Sequence, residues 1–291
     1  MKTRVLTAIA AIGVLIPCLI WSDTALFPIA CGIVALIALF EITGCIGVRK
    51  KWFLSGTTFV YGVFISSIVT YYFISNKSSL IPQSIFSYEK ITVMILAATF
   101  AYIFLIFCFT MLSMGQIKFL QAAELIAWTL YIMFGIMSIA LLRRQVAGIY
   151  LYGLVFIGAW MTDTGAYFVG VLFGKHKLIP KVSPKKTIEG AFGGILGCIA
   201  GFILYGFIMQ SIDEVKVNYV AIVILAAVIS VVSQFGDLVA SYIKREREIK
   251  DFGFIFPGHG GVLDRFDSII AVAPTIYFIT YFTANSFPIF S

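Results

Sequence analysis

Residues 241–267 combine charged side chains and glycines between two hydrophobic segments. They read SYIKREREIKDFGFIFPGHGGVLDRFD and contain five bases, five acids and one histidine. Lipid-facing helices do not need such a set, because charged side chains are costly inside a bilayer. Carboxylates and bases gathered at a membrane edge suit a site that holds phosphate groups and a divalent cation. This segment is therefore the first candidate for chemistry.

A polar stripe leads from the preceding hydrophobic segment into this region. Asp237, Ser241 and Lys244 are spaced i, i+4 and i+7, so they share one face of a helix, and Arg245 borders that face. The bases alone are explained by a helix end whose charges reach out to water. That explanation does not cover the embedded carboxylate of Asp237.

Two further carboxylates stand where the last hydrophobic segment begins. Asp264 and Asp267 are spaced i, i+3, again on one face. One acid would serve as a helix cap, but two acids near Asp237 would repel each other and would cost free energy in the membrane. A divalent cation removes both problems, and magnesium is bound by one or two carboxylates with waters and phosphate oxygens. We therefore predict magnesium ligands among Asp237, Asp264 and Asp267. The alternative is that these carboxylates serve only as helix caps and salt-bridge partners.

Two loops could hold the anionic part of a substrate. In the turn at residues 257–261, three glycines allow close approach of a ligand, and His259 could be a phosphate donor, an acid/base group or a turn hydrogen bonder. Lys185, Lys186 and Thr187 precede another hydrophobic segment. From the residues alone, these lysines are equally well explained as topology signals or as ligands of a triphosphate.

Composition identifies the elements that must position these residues. The chain has 291 residues, of which 60% are hydrophobic and 12% charged, whereas soluble domains are about 25% charged. Apolar runs of about 20 residues cross a bilayer as helices. They predict an all-α polytopic membrane protein with about nine transmembrane helices, at residues 5–21, 24–47, 53–74, 91–113, 121–142, 149–173, 190–210, 219–240 and 265–287.

The distribution of lysine and arginine predicts the orientation. With the N-terminus in the cytoplasm, 16 of the 21 bases fall on the cytoplasmic side, and Arg143 with Arg144 is the exception. The net charge of +7 then belongs mainly to the cytoplasmic face, where it suits anionic lipids and anionic substrates. Nucleic acid is not expected as a partner, because the chain has no soluble basic domain.

The two halves of the chain differ in chemistry. Residues 1–148 contain about five spans with two embedded acids, Glu41 and Glu124, each of which is either functional or a helix-capping or protonated glutamate near an interface. Residues 149–291 contain about four spans, Asp163 and all the candidates above. Overlapping GxxxG spacings at residues 190–201 predict close helix packing.

The segment at residues 241–267 resembles the signature of the phosphatidate cytidylyltransferases, also called CDP-diacylglycerol synthases. The matching positions are Ser241, Lys244, Arg245, Lys250, Asp251, Gly253, Pro257, His259, Gly260, Gly261, Asp264, Arg265 and Asp267. Residues 183–190, Asp163 and the nine-span layout are also similar to this family. The resemblance therefore covers the chain, strongly after residue 150 and loosely before it.

The resemblance implies a reaction in which CTP and phosphatidate give CDP-diacylglycerol and pyrophosphate. It implies a magnesium ion, allows a potassium ion beside it, and suggests a homodimer in a bacterial-type inner membrane with the site facing the cytoplasm. By this analogy Asp237, Asp264 and Asp267 bind metal and, with Lys244 and Arg245, carry catalysis. The substrate-binding residues would be Ser241, Lys250, Asp251, His259, Arg265, Lys185, Lys186, Thr187 and Asp163.

Two alternatives stay open at this point. A related lipid nucleotidyltransferase or a polyprenol kinase would use another acceptor or nucleotide. An ion-coupled transporter would use Asp163, Glu41 and Glu124 as a relay, but transporter charges are expected near the midplane of both halves, and here they gather at one edge of one half.

Overall fold

The computed structural model describes residues 13, 16–75, 88–256, 258 and 260–290 of the chain. Long helices dominate these residues, and one antiparallel hairpin joins the fifth helix to the sixth. The helices are α1 (Leu26–Cys45), α2 (Trp52–Ser75), α3 (Tyr88–Leu112), α4 (Phe119–Arg143), α5 (Gly148–Phe173), α6 (Ile188–Asp213), α7 (Tyr219–Glu246) and α8 (Leu263–Thr283). The hairpin strands are β1 (Lys177–Ile179) and β2 (Ser183–Thr187).

All eight described helices are long and apolar enough to cross a membrane. Each coincides with a predicted span to within a few residues, because the length of the apolar run sets the length of a lipid-spanning helix. The chain is an integral, multi-pass membrane protein, as predicted. Of the first predicted span, at residues 5–21, residues 5–12, 14 and 15 lie outside the described residues.

Two elements differ from the sequence prediction. Helix α7 continues past its apolar run to Glu246, so Ser241, Lys244 and Arg245 are helical. The stretch between α5 and α6 forms strands, with Lys177 paired to Thr187 and Ile179 paired to Ser183. Hydropathy does not indicate this hairpin, because its strands are short and half of their residues are exposed.

The chain divides into two compact units. The first unit comprises Met1–Ala140 with Asp251–Asp264, and the second comprises Leu141–Lys250 with Arg265–Ser291. The N-terminal helices therefore share a unit with most of the signature loop, whereas the sequence prediction divided the chain at residue 148. Helix α8 begins in the first unit with its first two residues and continues in the second.

In the first unit, α1 packs on α2 and α2 packs on α3. A buried polar network joins α2, α3 and α4. The Tyr102 hydroxyl donates to Thr129 Oγ1 at 2.9 Å and lies 3.3 Å from Thr58 Oγ1. Hydroxyls buried among apolar helices need such partners, so this network ties the three helices together.

In the second unit, α5, α6 and α7 pack against one another, most extensively at the pair α5 and α6. Glycines make that close approach possible. A Cβ added at Gly197 would lie 2.8 Å from the Met161 carbonyl oxygen and 3.0 Å from the Cα of Gly165. The predicted packing role of the GxxxG spacings is confirmed, and the packing fixes the helix that carries Asp163 against the helix that follows the hairpin.

Candidate active site

Asp237 lies on α7 at the centre of a polar cluster in the second unit. Its Oδ2 is 2.5 Å from the Lys186 ammonium, and both side chains are about one quarter exposed, 27% and 26%. The Ser241 hydroxyl donates to Asp237 Oδ1 at 3.3 Å. The predicted shared face of α7 is thus confirmed for these two residues, and the basic segment before α6 supplies the cation.

Two more carboxylates belong to this cluster. Asp267 on α8 is repelled by Asp237 and Asp163 and attracted by Lys244. Asp163 on α5 is repelled by Asp237 and attracted by Lys186. We call Asp163, Asp237 and Asp267 the acidic cluster. Three helices supply it, and two lysines balance part of its negative charge.

The donor chemistry of the acidic cluster fits a hard divalent cation. Carboxylate oxygens are preferred ligands of magnesium, which needs only one or two of them because waters and substrate phosphates complete its shell. Within the described part of the chain, no three His, Cys, Asp or Glu side chains are already arranged around one ion position. The Lys186 ammonium instead provides the positive charge beside Asp237. The magnesium ligands therefore stay a prediction.

The hairpin before α6 is fastened at both ends. The Thr187 hydroxyl caps α6 by accepting from the Gly190 amide at 3.1 Å. The Glu189 carboxylate accepts from His176 Nδ1 at 2.6 Å and from the Lys175 amide at 3.1 Å. These contacts hold Lys186 at the cluster, whereas Lys185 on the same strand points to solvent.

Asp264 occupies a different environment, in the first unit. The residue is 8% exposed, and its Oδ2 accepts from the amides of Phe252 at 2.8 Å and Gly261 at 2.9 Å. Gly258 and Gly260 have positive φ angles of 80° and 82°, which glycine adopts without strain. The carboxylate therefore closes the loop at residues 252–261 on itself.

Glu41 also belongs to this region, and the sequence left it open as a functional residue or as a helix-capping or protonated glutamate. It is buried in α1, and its carboxylate accepts from the amides of Val262 at 2.9 Å and Leu263 at 2.8 Å, at the start of α8. The helix-capping interpretation is confirmed, although the capped helix lies at the other end of the chain. The available signal was a lone carboxylate in an apolar run.

The remaining predicted residues are more exposed or lie outside the described part. Lys250 and Arg265 are exposed, and Asp251 is half-buried beside Gly260. Arg245 is exposed, and its Nε is 3.5 Å from the Val182 carbonyl oxygen. His259 and Pro257 lie outside the described residues.

Comparison with known proteins decides the family. Residues 2–283 match the family model described as the cytidylyltransferase family. The chain belongs to the cytidylyltransferase family. It is therefore a nucleotidyltransferase, as predicted.

Curated relatives agree with this membership over nearly the whole chain. A phosphatidate cytidylyltransferase of Staphylococcus epidermidis is 36% identical over 276 residues, 95% of this chain and 97% of the relative. Enzymes of the same name from Staphylococcus haemolyticus and Staphylococcus aureus are 35% and 34% identical over the same share of each chain. Because the chain belongs to an enzyme family, the alternative of an ion-coupled transporter is no longer supported.

Proposed function

We propose that this membrane cytidylyltransferase transfers the cytidylyl group of CTP to phosphatidate and releases pyrophosphate. The observation that carries the proposal is the acidic cluster with Lys186 and Lys244, found in a chain similar along its length to enzymes named phosphatidate cytidylyltransferase. Carboxylates and lysines side by side suit a reaction in which two phosphate-bearing molecules must approach each other.

In the proposed reaction, a phosphate oxygen of phosphatidate attacks the α-phosphorus of CTP. A new P–O bond forms to the lipid phosphate, the bond from the α-phosphorus to the bridging oxygen breaks, and its electron pair leaves with pyrophosphate. The attacking phosphate is already an anion, so no protein base has to generate the nucleophile. Catalysis then consists mainly of positioning and charge stabilisation.

The lysines have the first role in this mechanism. Lys186 and Lys244 neutralise part of the phosphate charge, which otherwise keeps the two reactants apart. Lys186 is paired with Asp237 in a partly exposed position, so its ammonium can be shared with a substrate phosphate without opening a buried core. Lys185, Arg245, Lys250 and Arg265 add positive charge on exposed positions around the same segments.

The acidic cluster has the second role. We propose Asp237 and Asp267, with Asp163 beside them, as the groups that would hold magnesium; the sequence also predicts Asp264. The ion would supply neutralisation of the phosphate oxygens. Asp237 in turn orients Lys186 and the Ser241 hydroxyl, to which it is bonded in the structure.

We propose the orientation of the chain in the membrane from its charge distribution. With the N-terminus in the cytoplasm, most bases face the cytoplasm, where CTP is available and where a bacterial inner membrane presents anionic lipid. We also propose a homodimer, by analogy with the family. Cysteine cross-linking in intact membranes would test the homodimer. The orientation would be tested by the accessibility of a single introduced cysteine at Lys181 to a membrane-impermeant reagent.

The direct test is pyrophosphate release by purified protein in detergent, with magnesium, phosphatidate and each nucleoside triphosphate in turn. The proposal requires release with CTP that depends on both phosphatidate and magnesium. Release with another nucleotide only, or with another lipid acceptor only, would assign a different substrate. No release from folded protein under any combination would contradict the proposal.

A further inference from the structure

The carboxylate of Glu41 binds the chain at the point where α8 begins. Glu41 is 2% exposed, and its two oxygens accept one backbone amide each, from Val262 at 2.9 Å and from Leu263 at 2.8 Å. Amides at a helix N-terminus have no partner within the helix. Glu41, on α1, accepts from two of these amides, although the sequence separations are 221 and 222 residues.

The glycines of the loop are fitted to this carboxylate. A Cβ added at Gly253 or at Gly261 would collide with the Glu41 carboxylate, and in both cases its three nearest atoms are all Glu41 side-chain atoms. Neither Gly253 nor Gly261 has a positive φ angle. Space for Glu41, rather than backbone conformation, therefore requires glycine at these two positions.

Asp264 fastens the same loop from its other side. Its Oδ2 accepts from the amides of Phe252 and Gly261, and it is the residue that follows the two amides bound by Glu41. Together the two buried carboxylates fix four backbone amides, those of residues 252, 261, 262 and 263. The Glu41 carboxylate is repelled by Asp264 and attracted by Arg49.

These contacts have a consequence for the reaction. The direction of the Asp264 side chain is set by the first turn of α8, and the first turn of α8 is set by Glu41. A shift of about 1 Å in a catalytic arrangement can cost about 100-fold in rate. The loop and the start of α8 contain Asp251 and Arg265, which are predicted to bind substrate, and Asp264, which is predicted to bind metal and to be catalytic.

We infer that Glu41 is a positioning residue for cytidylyl transfer, which holds the signature loop and the first turn of α8 in their working conformation. The inference rests on the proposed function. Glu41 does not touch substrate in this account; it acts through Asp264 and the loop backbone. It gives the N-terminal half, which contains no signature residue, a defined part in the reaction.

The test compares two substitutions with a matched control. Glu41→Met removes both acceptors at nearly constant volume, and Glu41→Gln keeps one acceptor oxygen. Glu124→Gln removes the other membrane-embedded glutamate of the same unit and serves as the control. For each purified variant, kcat and the KM for CTP are measured per folded molecule, together with thermal stability and amide exchange of residues 252–263.

The expected order follows from the number of acceptors kept. Glu41→Met should lower kcat about 100-fold, as for a misplaced catalytic group, and Glu41→Gln about 10-fold, as for one lost charge-assisted hydrogen bond. The KM for CTP should stay unchanged in both, because the loss concerns the transition-state arrangement. Amides in the 252–263 segment should exchange at least about 10-fold faster in Glu41→Met. Glu124→Gln should match wild type in all of these.

A second pair of variants tests the fit between the glycines and the carboxylate. Gly253→Ala should lower kcat in the wild-type background because its Cβ displaces Glu41. In the Glu41→Ala background the same substitution should have a much smaller effect, since the space is already open. Such non-additivity is the signature of two groups in contact.

Three results would overturn the inference. Folded Glu41→Met or Glu41→Gln with wild-type kcat would show that the contact only fastens the fold. Unchanged amide exchange at residues 252–263 would show that the loop does not depend on Glu41. Additive effects of the Gly253 and Glu41 substitutions would show that the two residues are not in contact. If wild type itself shows no turnover with any nucleotide, the proposed function fails and the role of Glu41 in it fails too; an active wild type with unaffected Glu41 variants contradicts the inference alone.

Discussion

Carboxylates occur in two contrasting settings in this protein. In the second unit, Asp237 is 27% exposed and its partners are side chains, a lysine and a serine. In the first unit, Glu41 is 2% exposed and Asp264 is 8% exposed, and both accept hydrogen bonds from backbone amides. The same chemical group is thus bound by movable side chains in one unit and by the main chain in the other.

This difference indicates what the acidic cluster can do and what Glu41 and Asp264 can do. A lysine at the end of a flexible side chain can exchange a carboxylate for a phosphate at little cost, so the acidic cluster can respond to a ligand. Glu41 and Asp264 each bind two backbone amides of the loop and the start of α8. Neither carboxylate can leave without opening that segment, because buried amides without partners are costly. We therefore propose substrate chemistry for the acidic cluster, loop positioning for Glu41, and both roles for Asp264.

The largest effect is expected from Asp237→Asn. The substitution keeps the volume but removes the charge that holds Lys186, and we expect turnover of CTP and phosphatidate to fall about 1,000-fold, as when a preorganised electrostatic group is lost. Exchange of the 252–263 segment should not change. Asp213→Asn, at the C-terminal end of α6, is the control and should retain full turnover. Wild-type turnover in Asp237→Asn would contradict a role of the acidic cluster in substrate chemistry.

Asp264→Asn is expected to combine both kinds of effect. It should lower turnover about 100-fold and should also raise the exchange rates of the Phe252 and Gly261 amides, because a neutral amide oxygen is a weaker acceptor than a carboxylate. Membrane insertion should be unaffected. Glu89→Gln, at the start of α3, is the control within the same unit. Normal exchange together with lost turnover would assign Asp264 to the substrate rather than to the loop.

Lys186→Met should have a moderate effect. Loss of the ammonium beside Asp237 should raise the KM for CTP about 10-fold, since a charge-assisted contact to a phosphate contributes a few kcal/mol at most. Lys181→Met, at an exposed position in the hairpin turn, should leave the KM unchanged. Equal effects in the two variants would show that general positive charge, and not the position of Lys186, is what matters.

The smallest effect is expected from Thr187→Ala. Its hydroxyl caps α6, and removal of a helix cap lowers the free energy of unfolding by about 1 kcal/mol. Asn218→Ala, which removes the cap of α7 at the Ala221 amide, is the matched control and should show a similar loss in detergent unfolding. A fall in turnover confined to Thr187→Ala would instead support the predicted contact of Thr187 with substrate.

The sequence predicted the membrane architecture well because lipid imposes a simple rule. An apolar run must be long enough to span the bilayer, so α1 to α8 could be located to within a few residues. The continuation of α7 to Glu246 could not be located this way, since Lys244 and Glu246 are good helix formers that hydropathy counts as loop. The hairpin at residues 177–187 was missed because its strands have only three and five residues and no apolar run marks them.

The site was predicted in part. Asp237, Ser241 and Asp267 follow from helical spacing, which is local. The grouping of Asp163 with Asp237 and Asp267 depends on how three helices pack, and no local pattern contains that information. The bond from Glu41 to Leu263 joins residues 222 positions apart, and only the tertiary structure shows that the glycines at 253 and 261 make room for it.

Amide exchange of residues 252–263 separates the two sets of carboxylates when it is measured in Asp237→Asn and Glu41→Met, two variants that are both expected to lose turnover. We expect faster exchange in Glu41→Met and wild-type exchange in Asp237→Asn, because Glu41 binds the amides of this segment and Asp237 does not. Faster exchange in both variants, or in neither, would contradict the division of roles between the two sets of carboxylates.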